Sequence, residues 1–244
     1  EGYTAGSINI RGLGSGTDRG FEQSVALFVD DVYQPRSRQY RAAFFDLDRV
    51  EVMRGPQAVL FGLNATAGTI SIVSAKTVPG DENFLKLTAG YETEYSGYTV
   101  SAVAGGTLGD NLGVRLAIEN SDSGDGWYEN LATGKEETWH ENTTARLMAV
   151  WDTTENLRFT AKVEHAESDT FGDISEGYGD INAAIGGGQK LDWVRNTSVV
   201  SLKGLTDDHG FFVESDNIML NAQYSLGDHL LTGILGYSDS ETTM

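Results

Sequence analysis

From residue 84 onward, apolar and polar side chains alternate in runs of about ten residues. A period of two puts every second side chain on one face, which is the geometry of a β-strand. Leu85, Leu87, Ala89 and Tyr91 oppose Lys86 and Thr88, while Leu112, Val114, Leu116 and Ile118 oppose Arg115 and Glu119. Ala145, Leu147, Ala149 and Trp151 oppose Thr144 and Arg146. Leu157, Phe159, Ala161 and Val163 oppose Arg158, Thr160, Lys162 and Glu164, and Ile218, Leu220, Ala222 and Tyr224 oppose Asn217, Asn221, Gln223 and Ser225. About ten residues is also the length with which a tilted strand crosses a bilayer.

Period two alone does not separate a membrane barrel from a soluble sandwich, since both alternate. The connectors discriminate. Leu108-Gly109-Asp110-Asn111, Thr153-Thr154-Glu155-Asn156 and Leu226-Gly227-Asp228-His229 are tight, similar turns. Between them lie long polar stretches, residues 121–140 and 168–212, so short and long connectors alternate as they do in outer-membrane barrels. The spacing predicts seven strands, over 84–92, 97–107, 112–120, 141–152, 157–167, 213–225 and 230–240, with every tight turn on one side. Seven strands leave two bare edges, which lipid does not tolerate. The expectation is therefore a piece of a longer chain.

Thirty glycines among 244 residues, with frequent Thr, Ser, Tyr and Asn, favour strands and turns. With no cysteine, disulfides, thiolate metal sites and cysteine nucleophiles are excluded. No apolar run is long enough for a membrane-spanning helix. The net charge of −19 argues against a nucleic-acid partner, whose phosphates would be repelled. That charge is unevenly placed. Residues 1–80 hold eight Lys/Arg and eight Asp/Glu, so residues 81–244 carry all of the −19. The break, near Pro79-Gly80-Asp81, predicts two units, 1–80 and 81–244, in different environments.

The first unit carries recognisable motifs. Asp46-Leu47-Asp48-Arg49-Val50-Glu51-Val52-Met53-Arg54-Gly55-Pro56-Gln57-Ala58-Val59-Leu60-Phe61-Gly62 reads as a strand, a Gly-Pro turn and an apolar return. Residues 64–74 open with small polar residues and end as an alternating strand. Ser7-Ile8-Asn9-Ile10-Arg11-Gly12 and Val25-Ala26-Leu27-Phe28-Val29-Asp30-Asp31-Val32-Tyr33 complete the set. Together these resemble the plug domain of TonB-dependent outer-membrane receptors, with Asp31 where that family usually has Gly. The resemblance implies a mainly β chain: residues 1–80 the C-terminal part of a plug, residues 81–244 the first strands of a large antiparallel transmembrane barrel, about 22 strands in full.

By that resemblance the function is import of a scarce nutrient, such as a ferric siderophore, cobalamin or an oligosaccharide, across the outer membrane of a diderm bacterium. The implied partners are the TonB energising complex, reached through a segment upstream of this chain, outer-membrane lipid and lipopolysaccharide, and a small-molecule ligand. No cofactor is expected, although the ligand may itself be a metal chelate. Arg11 and Arg54 would lock plug to barrel through barrel carboxylates, with Glu51 as a local partner for Arg54. Arg19, Tyr33, Arg36, Arg38, Tyr40 and Arg41 would form a cationic, aromatic floor for an anionic ligand, because the arginine fork matches carboxylates and stacks on rings.

Other constellations are weaker. Gly12-Leu13-Gly14-Ser15-Gly16 lacks the spacing of a dinucleotide loop. Asp169, Asp173, Glu176 and Asp180 offer oxygen ligands for Ca²⁺ but not at EF-hand spacing, and a solvated acidic loop is the expectation. His140, His165, His209 and His229 are scattered and are expected on rims or loops. No nucleophile elbow or acid/base pair stands out, so no enzyme is expected. The competing reading is a soluble β-rich binding or adhesion module without transport.

Overall fold

A computed structural model describes residues 8–14, 24–35, 44–56, 65–126, 128–130, 135–137, 139–171 and 210–243. Two strand systems dominate. The larger is a seven-stranded sheet ordered β15-β14-β13-β12-β9-β8-β7, in which every neighbouring pair is antiparallel. Its strands are β7 (Phe84–Tyr91), β8 (Ser96–Leu108), β9 (Leu112–Gly124), β12 (His140–Thr154), β13 (Leu157–Phe171), β14 (Gly210–Leu226) and β15 (His229–Thr243). A small hairpin, β10 (Tyr128–Asn130) with β11 (Lys135–Glu137), sits in the connector between β9 and β12.

The seven strands lie over the alternating stretches, and most of them extend past these at the long-connector end. Gly109 and Gly227 take φ of +66° and +58° in their tight turns, a region glycine enters without steric cost. Alternation resolves into two faces of opposite character. One face carries Leu85, Leu87, Leu116, Ile118, Leu147, Trp151, Val163, Ile218 and Leu220, all exposed. The other carries buried polar and charged groups, among them Thr144, Arg146, Thr160, Lys162, Glu164, Asn217 and Asn221. Burial is thus inverted relative to a water-soluble sheet, in which the apolar face is the one covered.

The smaller system packs against that polar face. Its four-stranded sheet runs β4-β3-β6-β5, with β3 (Val25–Val29) parallel to β6 (Gly68–Ser74) and β4 (Val32–Gln34) and β5 (Leu47–Arg54) antiparallel at the edges. A short hairpin of β1 (Asn9–Ile10) and β2 (Leu13–Gly14) stands beside it. Leu27, Val29 and Ile72 form one small buried cluster and Ile10, Val25 and Ala67 another, with Ile8 and Ile70 packed against both. The β3–β4 turn has Asp30 and Asp31 at φ +50° and +66°. Positive φ at both central positions is the type I′ hairpin turn, and aspartate tolerates that region better than most residues, so Asp31 fits the position.

The segment after β6 and strand β4 both lie close on the wall. A side chain at Gly113 would meet the Thr77 carbonyl oxygen at 2.3 Å, and one at Gly236 would meet the Val32 side chain at 2.6 Å. Thr107 Oγ1 accepts from the Gly80 amide at 2.9 Å and donates to the Asp81 carbonyl at 2.9 Å, pinning the connection to β8. Glycines and one threonine in the wall therefore set how closely the small sheet sits.

Candidate functional site

The two sheets meet through buried charge. Asp30, at the tip of the β3–β4 hairpin, is 7% exposed and accepts hydrogen bonds from the Ser74 amide at 2.8 Å and Ser74 Oγ at 2.9 Å. Lys162 of β13, 3% exposed, donates to the same carboxylate at 2.6 Å. Burial alone would raise the Asp30 carboxyl, but the Lys162 charge and the hydrogen bonds from Lys162 and Ser74 outweigh it and hold the group below its ordinary value of 3.8.

A second contact is made just before β5. Asp46, at φ +51°, faces Arg115 of β9, whose Nε and Nη2 reach its two oxygens at 2.7 and 2.6 Å. This is the planar fork of a bidentate arginine–carboxylate pair, which fixes orientation as well as charge. The Arg115 guanidinium also stands over the Phe84 ring, 5.0 Å from its centroid.

Arg146 of β12 ties the two contacts together. Only 1% exposed, it donates through Nε to Glu164 Oε2 at 2.5 Å and through Nη1 to the Phe45 and Asp46 carbonyls at 2.7 and 3.3 Å. Glu164, next to Lys162 on the same face of β13, has its other oxygen 4.0 Å from Lys162 Nζ and accepts from Asn217 Nδ2 at 3.2 Å. Asn217 in turn accepts from Ser238 Oγ at 2.6 Å. Asp30, Asp46 and Glu164 balance Lys162, Arg146 and Arg115, so the cluster is neutral and spans β9, β12, β13, β14 and β15. Buried charges persist when paired and hydrogen-bonded in this way.

The lock expected from the sequence had the opposite polarity, with arginines on the N-terminal unit and carboxylates on the wall. In the structure Arg11 is exposed in the β1–β2 turn at φ +53°, and Arg54 is exposed at the end of β5. Glu51 does not serve Arg54 but pairs with Arg49 at 2.6 Å, and Arg49 also holds Asp48 at 2.6 Å, with all three about half exposed. The reason is geometric. Glu51 and Arg54 lie on one continuous strand three residues apart, which puts them on opposite faces, with the reversal at Gly55 coming only afterwards.

Of the expected ligand floor, Arg19, Arg36, Arg38, Tyr40 and Arg41 lie outside the described residues. Tyr33 is half-buried on β4, its ring 5.6 Å from that of Phe28 at 55°. Asp173, Glu176 and Asp180 also lie outside the described residues, whereas Asp169 is on β13. Lys162, Glu164, Arg146 and Arg115 were legible as members of the polar face. Their partners were not, because Asp30 and Lys162 stand 132 positions apart and only docking brings them together.

The Asp30 contact gives a pH prediction. With the folded carboxyl held below 3.8, its stabilisation is complete above that value and is lost as the pH falls through the lower, folded one. The melting temperature of the full-length protein in detergent should hold level between about pH 8 and 5 on this account and fall in more acid solution. Asp30→Asn should flatten part of that acid limb, which a thermal melt against pH would read.

Residues 1–69 match the family model for the TonB-dependent receptor plug domain. The pesticin receptor of Yersinia pestis is 29% identical over 133 residues, covering 54% of this chain and 19% of that protein. The probable TonB-dependent receptor BfrD of Bordetella pertussis is 35% identical over 100 residues, 41% of this chain and 13% of that protein. Among solved structures, the ferric yersiniabactin uptake receptor FyuA from Yersinia pestis superposes over 98% of this chain and 35% of its own, with a TM-score of 0.79 at 20% identity. The ferric citrate transporter FecA in its unliganded form gives 0.70 over 98% of this chain and 34% of its own, at 16% identity. The chain thus spans less than a fifth of the length of these curated relatives and about a third of the solved structures.

Proposed function

We infer that this chain, which belongs to the TonB-dependent outer-membrane receptor family, supplies the closing part of the plug (residues 1–80) and the first seven strands of the barrel (residues 81–244) of a transporter that imports a scarce nutrient into the periplasm. The observation that carries the reading is the neutral charge cluster joining a small sheet to the covered face of a long sheet whose other face is apolar and exposed. Such a sheet suits lipid on one side and a polar plug on the other, with the backbone groups paired strand to strand.

Iron chelates are the favoured cargo. The similar solved proteins named above are a ferric yersiniabactin uptake receptor and a ferric citrate transporter. Arg19, Arg36, Arg38 and Arg41, with Tyr33 and Tyr40, form the receiving floor in this reading. Arg11 and Arg54, exposed here, find carboxylate partners on barrel strands beyond residue 244. The receptor sits in the outer membrane of a diderm bacterium, couples to the TonB complex through a segment upstream, and has no enzymatic role.

Growth on a single ferric chelate under iron limitation, in a strain carrying the full-length gene with and without TonB, tests the reading. Chelate-dependent growth that vanishes without either gene is the expected result. Replacing Arg36, Arg38 and Arg41 together with alanine should weaken chelate binding at least about tenfold, the loss of roughly one charge-assisted contact, while the barrel still folds. Unchanged affinity would remove the arginine floor. Recovery of the full-length protein without detergent would favour the soluble binding module instead.

A further inference from the structure

The outer face of the long sheet changes character abruptly towards its long-connector end. On β13, β14 and β15 the exposed apolar row ends with Val163, Ile218 and Tyr237. One step further along the same face stand His165, Asp216 and Asp239 in direct register, and one step beyond them Glu167, Glu214 and Glu241. No lysine or arginine occupies an outward position on these strands. Like charges placed directly opposite one another destabilise a sheet, so a cation here would relieve Glu167 against Glu214, Glu214 against Glu241 and Asp216 against Asp239.

His165 supplies a nitrogen donor in this setting. Its Nδ1 lies 2.9 Å from Asp216 Oδ1 and its Nε2 lies 3.4 Å from Glu167 Oε1. An imidazolium donates to both carboxylates, whereas a neutral imidazole carries one N–H, donates to one of them and leaves its other nitrogen able to take an ion in place of the proton. One ligand atom from each of His165, Glu214 and Asp216 lies within 4.8 Å of the other two, a spacing that small rotations of these exposed or half-exposed side chains close to that of one ion's shell. We propose that His165, Glu214 and Asp216 bind one divalent first-row transition ion of the zinc type on the outward face, above the apolar band.

The donor set selects the ion. Magnesium and calcium prefer all-oxygen shells, whereas an imidazole with two carboxylates suits zinc and its neighbours. Three protein ligands leave coordination positions that open outward, away from the protein. The site stands on the opposite face of β13 from Lys162 and Glu164, so it is separate from the charge cluster and does not rest on the transport reading. A bound ion would pin β13 to β14 where their strands rise past the apolar band, through ligands from both.

The test uses the full-length protein in detergent, stripped with a chelator and dialysed. Cobalt(II) is titrated while its visible absorption is followed, and zinc(II) is then used to displace it, with calorimetry giving stoichiometry. The expected result is one ion per chain, a cobalt spectrum showing nitrogen and oxygen ligation, and displacement by zinc. His165→Ala and Asp216→Asn should each weaken binding more than the about 10- to 100-fold that outer-shell changes cost. Glu214→Gln, at an exposed position, should do the same without disturbing the fold, while Ser240→Ala on the inner face should change nothing. Absence of a cobalt signal from the unaltered protein would overturn the proposal, as would full retention of affinity by His165→Ala. Equal displacement by magnesium or calcium would overturn it too, because it would mark diffuse screening of carboxylates.

Discussion

Replacing Lys162 with methionine should destabilise the seating of the small sheet by about 3–5 kcal/mol, the usual cost of removing one partner of a buried ion pair. Asp30 would stay buried at the tip of its hairpin with only Ser74 as a donor, and Glu164 would lose the nearby cation on the same strand. The partner-matched variant, Asp30→Asn with Lys162→Met, should recover much of the loss, because no unpaired carboxylate then remains against the wall. Urea or thermal melts of the full-length protein in detergent would measure both. A single variant as stable as the parent would show that the hairpin tip is solvated in solution, and the lock would have to lie elsewhere.

Arg146→Met should cost a comparable amount, about 3 kcal/mol or more by the same argument. It removes the donors to Glu164 and to the carbonyls of Phe45 and Asp46 at once, and two of those acceptors belong to the small sheet's approach to β5. Glu164 keeps Asn217 and its more distant Lys162 contact, so the added change Glu164→Gln should restore only part of the stability. The readout that separates a lock from mere wall packing is leakage. Cells carrying the Arg146→Met full-length protein should admit a solute too large for porins, and a tight, non-leaky variant of lowered melting temperature would assign Arg146 to the wall alone. Arg115 differs in degree, since it is more exposed than Arg146 and Lys162 and keeps its ring contact with Phe84.

These two residues also mark how far the sequence carries. Arg146 between Ala145 and Leu147, and Lys162 between Ala161 and Val163, were readable as polar-face residues because alternation in a strand leaves no other placement. The motifs of residues 7–80 led to the family, and the tight turns gave the side on which the strands reverse. The sequence also pointed to Arg11 and Arg54 on the N-terminal unit as the lock, while the buried pairs among the described residues have the reverse polarity, with Asp30 and Asp46 on that unit and Lys162 and Arg115 on the wall. In Arg49, Glu51 and Arg54, spacing along one strand pairs the first two and turns the third away. His165 showed no helical metal spacing, and none is needed, because its companions Glu214 and Asp216 arrive from the next strand across a long connector.

Local order is thus written in the chain itself. Period two sets each side chain's face, glycines and aspartates set the turns, and both act between neighbours a few bonds apart. Which charge meets which is a different kind of fact. Asp30 with Lys162, Asp46 with Arg115 and the Phe45 carbonyl with Arg146 are separated by 132, 69 and 101 positions. Those pairs depend on the depth to which the small sheet settles on the wall, set in part by the close approaches at Gly113 and Gly236. A salt bridge selects its partner by distance and desolvation, both of which come into being only when the two sheets pack.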